Sequence, residues 1–491
     1  MCKQARPSVG PAVLFEAVRS RPLAVALLML AAGSPTALAQ AGEPVESEPV
    51  LTAEAYEMFE FLGGPDLPGQ EPGERERRDP DDAASEKAAV PTASEAREWF
   101  GGKAWWEWSR ATGDWGGART ALEDHGLTLS GSFIFDLVGA WSGGRDQRSI
   151  SARLFDFNAM LDLDKAFGIK GGSVFADFQV LSGNSPSRRV GDFQGTSNLE
   201  SDQSRNQLSE LWYQQWLFDD VLRIKLGKID GNKEFDFLSH AVEFLNTGAG
   251  LTVTSAFLPC YPDPSTAVCA FIYPTQKWYI GLGFFDGAIK DGVRTGERGP
   301  ATFFSDDLSD DFFYTAETGV TFDLGFIKDL RIAGGVWHQE GDFEEFNGGG
   351  EQDGTTGFYV ISEGTLWSPG GGTAEGAEDD DNRGLVGLFR YGHADEEVVA
   401  AGNSLGGGLH LIGTFPGRDS DTAGVWVNWV DLSDEEGAGF ENDETVVELF
   451  YKISVTPWIT VTPDIQFVTD PSGSEDVSDA VVGSLRVSIT F

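Results

Sequence analysis

The final eleven residues, Val481-Val-Gly-Ser-Leu-Arg-Val-Ser-Ile-Thr-Phe491, alternate between two kinds of side chain and close on an aromatic. Leu485, Val487, Ile489 and Phe491 fall on one face of an extended strand, and Ser484, Arg486, Ser488 and Thr490 on the other. A strand of a soluble sandwich alternates in the same way. A final Phe, however, sets a ring that seeks cover beside a carboxylate that must stay wet, and a membrane interface satisfies both.

The other end of the chain is compatible with export. Lys3, Arg6, Arg19 and Arg21 precede the apolar run Leu23 to Ala32, and Ala37-Leu38-Ala39 offers a small-residue cleavage site before Gln40, so residues 1–39 read as a secretory signal. Beyond them no run of 18 apolar residues occurs, which excludes membrane-spanning helices. The mature chain is then either a soluble secreted protein or a barrel of strands.

Three stretches follow the signal. Residues 40–96 are rich in Glu, Pro, Ala and Asp, bury too little apolar surface to offset chain entropy, and are expected to form a flexible acidic periplasmic linker with one short helix near residues 53–61. Residues 97–126 are Trp-rich, with Glu98-Trp-Phe-Gly-Gly-Lys-Ala-Trp-Trp-Glu-Trp108 suited to a membrane edge or a barrel mouth. From 127 to 491 the signal is β throughout. Phe155, Phe157, Ala159 and Leu161 oppose Asp156, Asn158 and Asp162; Leu222, Ile224 and Leu226 oppose Arg223 and Lys225; Val447, Leu449, Tyr451 and Ile453 oppose Glu448, Lys452 and Ser454. Charge thus recurs on one face of strand after strand.

The spacing predicts an all-β fold of about sixteen strands, starting near 127, 154, 172, 208, 221, 251, 277, 313, 330, 356, 384, 405, 423, 445, 458 and 482. An even strand number with alternately long and short connections is what a transmembrane antiparallel β-barrel requires. The connections 259–276 and 364–383 break that alternation.

The 35 basic and 78 acidic residues give a formal charge of −43, which repels phosphate backbones and argues against nucleic acid as a partner. After loss of Cys2 with the signal, Cys260 and Cys269 remain, close enough in sequence to predict a disulfide worth roughly 2 to 3 kcal/mol. Gly402-Asn-Ser-Leu-Gly406 fits G-x-S-x-G, but another strand pattern follows where a nucleophile elbow needs a helix. The histidines show no ligand spacing, Glu378-Asp-Asp-Asp-Asn382 reads as a solvated acidic loop, and Asp230-Gly-Asn-Lys-Glu-Phe235 fails as a calcium loop where Phe235 replaces the required Gly. No catalysis, cofactor or metal is expected.

The terminal strand resembles the closing strand of bacterial outer-membrane β-barrels, a resemblance that implies outer-membrane lipid and lipopolysaccharide around the barrel and recognition of Phe491 by the barrel assembly machinery. Thr112-Gly-Asp-Trp-Gly-Gly-Ala-Arg-Thr-Ala-Leu-Glu-Asp-His-Gly126 resembles the N-terminal signature of carbohydrate-selective porins of the OprB family, with Gly113, Asp114, Trp115, Gly116, Gly117 and Arg119 as its core. Glu210-Leu-Trp-Tyr-Gln-Gln215, Gly227 to Phe235, Phe244-Leu-Asn246 and Thr462 to Pro471 extend the likeness over about residues 105–491. It implies a sixteen-stranded barrel in the outer membrane of a Gram-negative bacterium, monomeric or homotrimeric, admitting monosaccharides and related small carbohydrates by diffusion. A general or ion-selective porin, or a soluble periplasmic carbohydrate-binding protein, remains the alternative.

In a water-filled barrel the narrowest ring of side chains governs passage. The long loop from Asp230 to Gly250 carries Lys233, Glu234, Phe235 and Asp236 directly after the inward-facing Arg223 and Lys225. The constriction is therefore expected here, joined by Asp156 and Arg486 from the walls, with Glu234 and Asp236 giving a cation preference. Residues 182–207 are the second choice.

Overall fold

A computed structural model describes residues 98–99, 102–183, 185–199, 203–304, 311–369 and 383–491. The expected signal and linker, and the acidic run 378–382, lie outside them. Sixteen antiparallel strands close into one barrel in which each strand pairs with its sequence neighbours and the first pairs with the last. They are β1 (Leu127–Ser142), β2 (Ile150–Asp162), β3 (Gly172–Gly183), β4 (Arg205–Leu217), β5 (Leu222–Ile229), β6 (Ser265–Thr275), β7 (Trp278–Asp286) and β8 (Phe312–Leu324), then β9 (Ile327–Glu344), β10 (Glu351–Trp367), β11 (Gly384–Ala394), β12 (Ala401–Ile412), β13 (Thr422–Leu432), β14 (Glu444–Thr456), β15 (Ile459–Thr469) and β16 (Ala480–Thr490).

Side-chain parity follows the sequence reading. Leu137, Phe157, Phe178, Leu226, Val268 and Leu282 are exposed on the outer face, while Asp136, Asp156, Asp177, Arg223 and Lys225 are buried on the inner one. An outer apolar band around a polar interior is the pattern of a barrel solvated by lipid. Phe491 completes the β1–β16 closure, exchanging backbone hydrogen bonds of 2.9 Å with Gly131. Its ring joins Phe155 and Phe157 at centroid distances of 5.4 and 5.6 Å on the outer face.

One strand is displaced from its expected place. No strand starts near 251: residues Thr247–Gly250 form a helical turn, the loop runs on, and β6 begins at Ser265. Pro259, Pro262 and Pro264 have no N–H to give to a ladder, and the backbone of Thr252 donates to the Asp236 carboxylate instead. Cys260 accordingly lies in the loop and Cys269 in β6, opposite Lys225. Both cysteines are free, so the disulfide expectation is corrected: a ladder position on the wall and a loop position beside Tyr261 do not bring the two sulfurs together. The other irregular connection joins β10 to β11, whose ends Trp367 and Gly384 lie at the barrel end that otherwise carries tight turns, such as the one joining β14 to β15.

Gly402 to Gly406 lies within β12, with no helix after Ser404, so the nucleophile-elbow geometry is absent there. Among the described residues no group of three or more His, Cys, Asp or Glu is placed to hold a metal ion.

Candidate functional site

The connection between β5 and β6, residues 230–264, folds into the barrel and is stapled along the inner wall. Glu234 receives the Arg223 guanidinium at 2.6 Å and the Lys225 ammonium, and all three side chains are at most 2% exposed. Phe235 stacks on Phe271 of β6 at 5.2 Å. Asp236 accepts from Thr252 N and Oγ1 at 2.9 and 2.7 Å, from Ser255 Oγ at 3.1 Å and from Arg390 Nη1 of β11 at 3.0 Å. Its own N–H donates to Glu317 of β8 at 2.9 Å. Burial pushes the Asp236 carboxyl up against the opposing pull of Arg390.

Farther along, wall carboxylates hold the loop backbone. Glu363 of β10 accepts from Ser239 N and Oγ at 3.3 and 2.8 Å, and Glu448 of β14 accepts from Leu245 N and Asn246 N at 2.6 and 3.0 Å. Two wall glycines seat the loop. A Cβ on Gly392 would run into Thr252 and Thr254, and one on Gly424 into Phe244, so the close approach of loop to wall requires bare backbone at both positions.

The preceding long loop seals the remaining arc. Glu444 accepts from Phe193 N and Gln194 N at 2.7 and 2.9 Å, Ser197 Oγ donates to Asp136 at 2.7 Å, and Asn198 N donates to the Leu245 carbonyl at 2.6 Å, joining the two loops. The second-choice segment 182–207 is thus part of the same inward structure.

The expected site residues separate into two groups. Arg223, Lys225, Glu234, Phe235 and Asp236 come together but are buried in the seam between loop and wall, so the expectation that Glu234 and Asp236 project into the lumen is corrected. Two cations offset the desolvation of Glu234, and Arg390 with three further donors offsets that of Asp236. Lys233 pairs with the buried Glu210 and lies 6.0 Å from the Phe175 ring centroid, keeping partial exposure. Asp156 is nearly buried and its Oδ1 has no hydrogen-bond partner. Arg486 stands on β16, clamped by Asp136 at 2.8 and 2.7 Å and by Asn198 Oδ1 at 2.7 Å.

The ionic groups that keep water contact are partly different ones. Glu243 and Lys452 of β14 pair at 2.6 Å with side-chain exposures of 22% and 21%. Burial works against the charged form of Glu243, but Lys452 beside it leaves the carboxyl below its ordinary value of 4.5. His240 lies 3.2 Å from Glu363 with 15% exposure. By the β14–β15–β16 register Lys452 and Arg486 flank Thr462 in a single row. Sequence parity placed Lys452 inside, but nothing local to residues 240 and 243 marks them as the wet edge of the loop, because that depends on which wall they meet.

The glycine-rich signature before β1 is a compact fold of its own. Asp114 accepts from Glu98 N, Trp99 N and Gly116 N at 3.3, 3.2 and 2.9 Å. A Cβ on Gly113, at φ 60°, would lie 2.7 Å from Trp108 and 2.8 Å from Trp99. Gly117 at φ 92° starts the helix Ala118–Asp124, whose buried Arg119 sits 4.3 Å above the Trp115 ring.

Comparison with known proteins places this geometry. Residues 146–491 match the model of the carbohydrate-selective porin, OprB family, a range that begins after the signature at 112–126. The chain is 22% identical to Porin B of Pseudomonas aeruginosa over 444 residues, 82% of this chain and 94% of that protein. It is 22% identical to the putative porin QuiX of Acinetobacter baylyi over 415 residues, 77% of this chain and 92% of that one. In fold it is similar to the high-pH structure of Pseudomonas putida OprB, with a TM-score of 0.71 at 20% identity over 79% of this chain and all of the other.

Proposed function

The chain belongs to the carbohydrate-selective porin, OprB family, and from that premise we propose an outer-membrane channel that passes monosaccharides and related small carbohydrates by facilitated diffusion, without energy coupling. The barrel fold and the family point to the bacterial outer membrane and to a channel rather than an enzyme. The observation that carries the finer reading is the wet edge of the inward loops. There Glu243 offers acceptors, while Lys452 and Arg486 offer donors from the facing wall. Among the described residues Arg486 Nη1 makes no hydrogen bond.

Sugars present hydroxyls that both donate and accept around the ring edge, so a constriction carrying both kinds of group matches them better than a ring of one charge. No driving step is needed, since the solute moves down its own gradient past groups that bind weakly enough to release it. The cation preference expected from Glu234 and Asp236 loses its basis with their burial, and selection rests on the Glu243, Lys452 and Arg486 edge.

Liposome swelling with the full chain tests the reading. Glucose and other monosaccharides should enter faster than amino acids of similar size, and equal rates would mark a general porin instead.

A further inference from the structure

The Trp-rich segment before β1 lies apart from the proposed constriction, yet it leaves two large aromatic rings exposed on an ordered turn. Trp105 is 53% and Trp106 64% exposed. Neither hangs on a loose tail. Trp105 begins a 3-10 turn, Trp105–Glu107, closed by the Glu107 side chain accepting from Ala104 N at 3.1 Å. The Trp105 indole donates to the Ala111 carbonyl at 2.9 Å, and Ala111 N donates to the Thr490 carbonyl of β16 at 2.9 Å. The pair is thereby tied to the turn end of the barrel, where β15 starts and β16 finishes.

The location is set by Trp458, immediately before β15. Thr462, Asp464 and Gln466 are the buried, inward positions of β15, and Trp458 shares their even parity. Its ring is 3% exposed because Trp105 covers it at a centroid distance of 4.4 Å, and its indole donates to the Trp105 carbonyl at 3.1 Å. Trp105 therefore continues the inner wall of β15 at the turn-end mouth, and the exposed Trp106 follows it in the same 3-10 turn. Phe491, by contrast, joins the outer aromatic cluster with Phe155 and Phe157.

We infer that Trp105 and Trp106 form a carbohydrate-stacking platform at the periplasmic mouth, separate from the constriction, which holds the apolar C–H face of a sugar leaving or entering the channel. The inference rests on the channel reading above. An indole is the side chain that offers most flat apolar area while losing little conformational freedom. Trp105, held against a second indole and a backbone carbonyl, is already fixed before any sugar arrives, so its ordering cost is not met on binding. Carbohydrate is favoured over a lipid headgroup because the pair is reached through an inward-facing Trp458.

The test uses the full chain in planar bilayers with maltotriose added from the turn-end side. Sugar-dependent current block should give a dissociation constant that weakens roughly two- to tenfold in Trp106→Ala, the size of one aromatic contact, and recovers in Trp106→Phe. Trp106 is 64% exposed, and among the described residues its side chain makes no hydrogen bond or ring contact, so its removal leaves the barrel standing, which unchanged conductance without sugar checks. Sugar flux without any block, or with a block unaffected by Trp106→Ala, overturns the platform alone. Quenching by brominated phospholipid that is weaker in Trp106→Phe than in the unsubstituted chain places the ring in lipid and also overturns it. Absence of both block and sugar flux in the unsubstituted chain overturns the channel reading itself.

Discussion

Glu234 and Glu243 lie nine positions apart on one loop, each bonded to a strand lysine, and they do different things. Glu234 is fully buried between Arg223 and Lys225 of β5. Glu243 forms its ion pair with Lys452 and keeps 22% of its side chain in water. The first is a structural rivet whose desolvation is offset by two cations; the second is a half-wet pair, which the proposed channel uses to exchange partners with a solute. In a pore, charge of the same type on the same loop is architecture or selectivity according to what stands behind it.

The largest effect should come from opening the seam. Arg390→Ala leaves Asp236 buried without its cation, and breaking such a pair costs about 3 to 5 kcal/mol. Because the barrel ladder does not depend on Arg390, the expected outcome is loss of loop seating rather than loss of the barrel. Single-channel conductance should rise, with a noisier open level, while the unheated protein still migrates as a folded barrel in gels. Unchanged conductance would mean that the seam does not hold the loop, and the contrast with the wet edge would fail.

Next is the seat itself. Gly392→Leu forces a side chain into Thr252 and Thr254, and overpacking of this kind costs about 1 to 3 kcal/mol. It should reproduce the conductance change of Arg390→Ala in weaker form, without touching any charge. If only the arginine variant acts, electrostatics rather than seating controls the loop.

These two tests also mark where the sequence was readable. Strand number, parity and the inward position of Arg223, Lys225, Lys452 and Arg486 follow from a period of two, which is local. The start of β6 was missed by fourteen residues because the stretch after Leu251 satisfies its backbone on Asp236 rather than on a neighbouring strand. The disulfide expectation fell with it, since closeness in sequence says nothing once one cysteine enters a ladder. Exposure of Glu243 was not legible because its wall partner, Lys452, is 209 positions distant, whereas Glu234 meets partners only eleven and nine positions away, and what parity does not show there is that the loop turns back onto β5. The Trp-rich segment was legible as mouth or edge, and only the covered Trp458 ring chooses between them.

The smallest effect on stability, and the sharpest on transport, is expected at the wet edge. Glu243→Gln removes one member of a partly exposed pair, a change worth about 0 to 1 kcal/mol, so thermal unfolding should move little. Lys452 is then left without a counter-charge beside Thr462 and Arg486, and the channel should shift toward anions in reversal-potential measurements at low salt. Near 1 M salt the shift should fade, because the Debye length falls to about 3 Å. Acid should mimic the variant only late. Lys452 leaves the Glu243 carboxyl below 4.5, so the pair's contribution is present above that ordinary value and is lost as pH falls through the lower folded-state value. A selectivity change already complete at pH 5 would assign it to other acids, and one present equally in Glu234→Gln would remove the distinction between seam and edge.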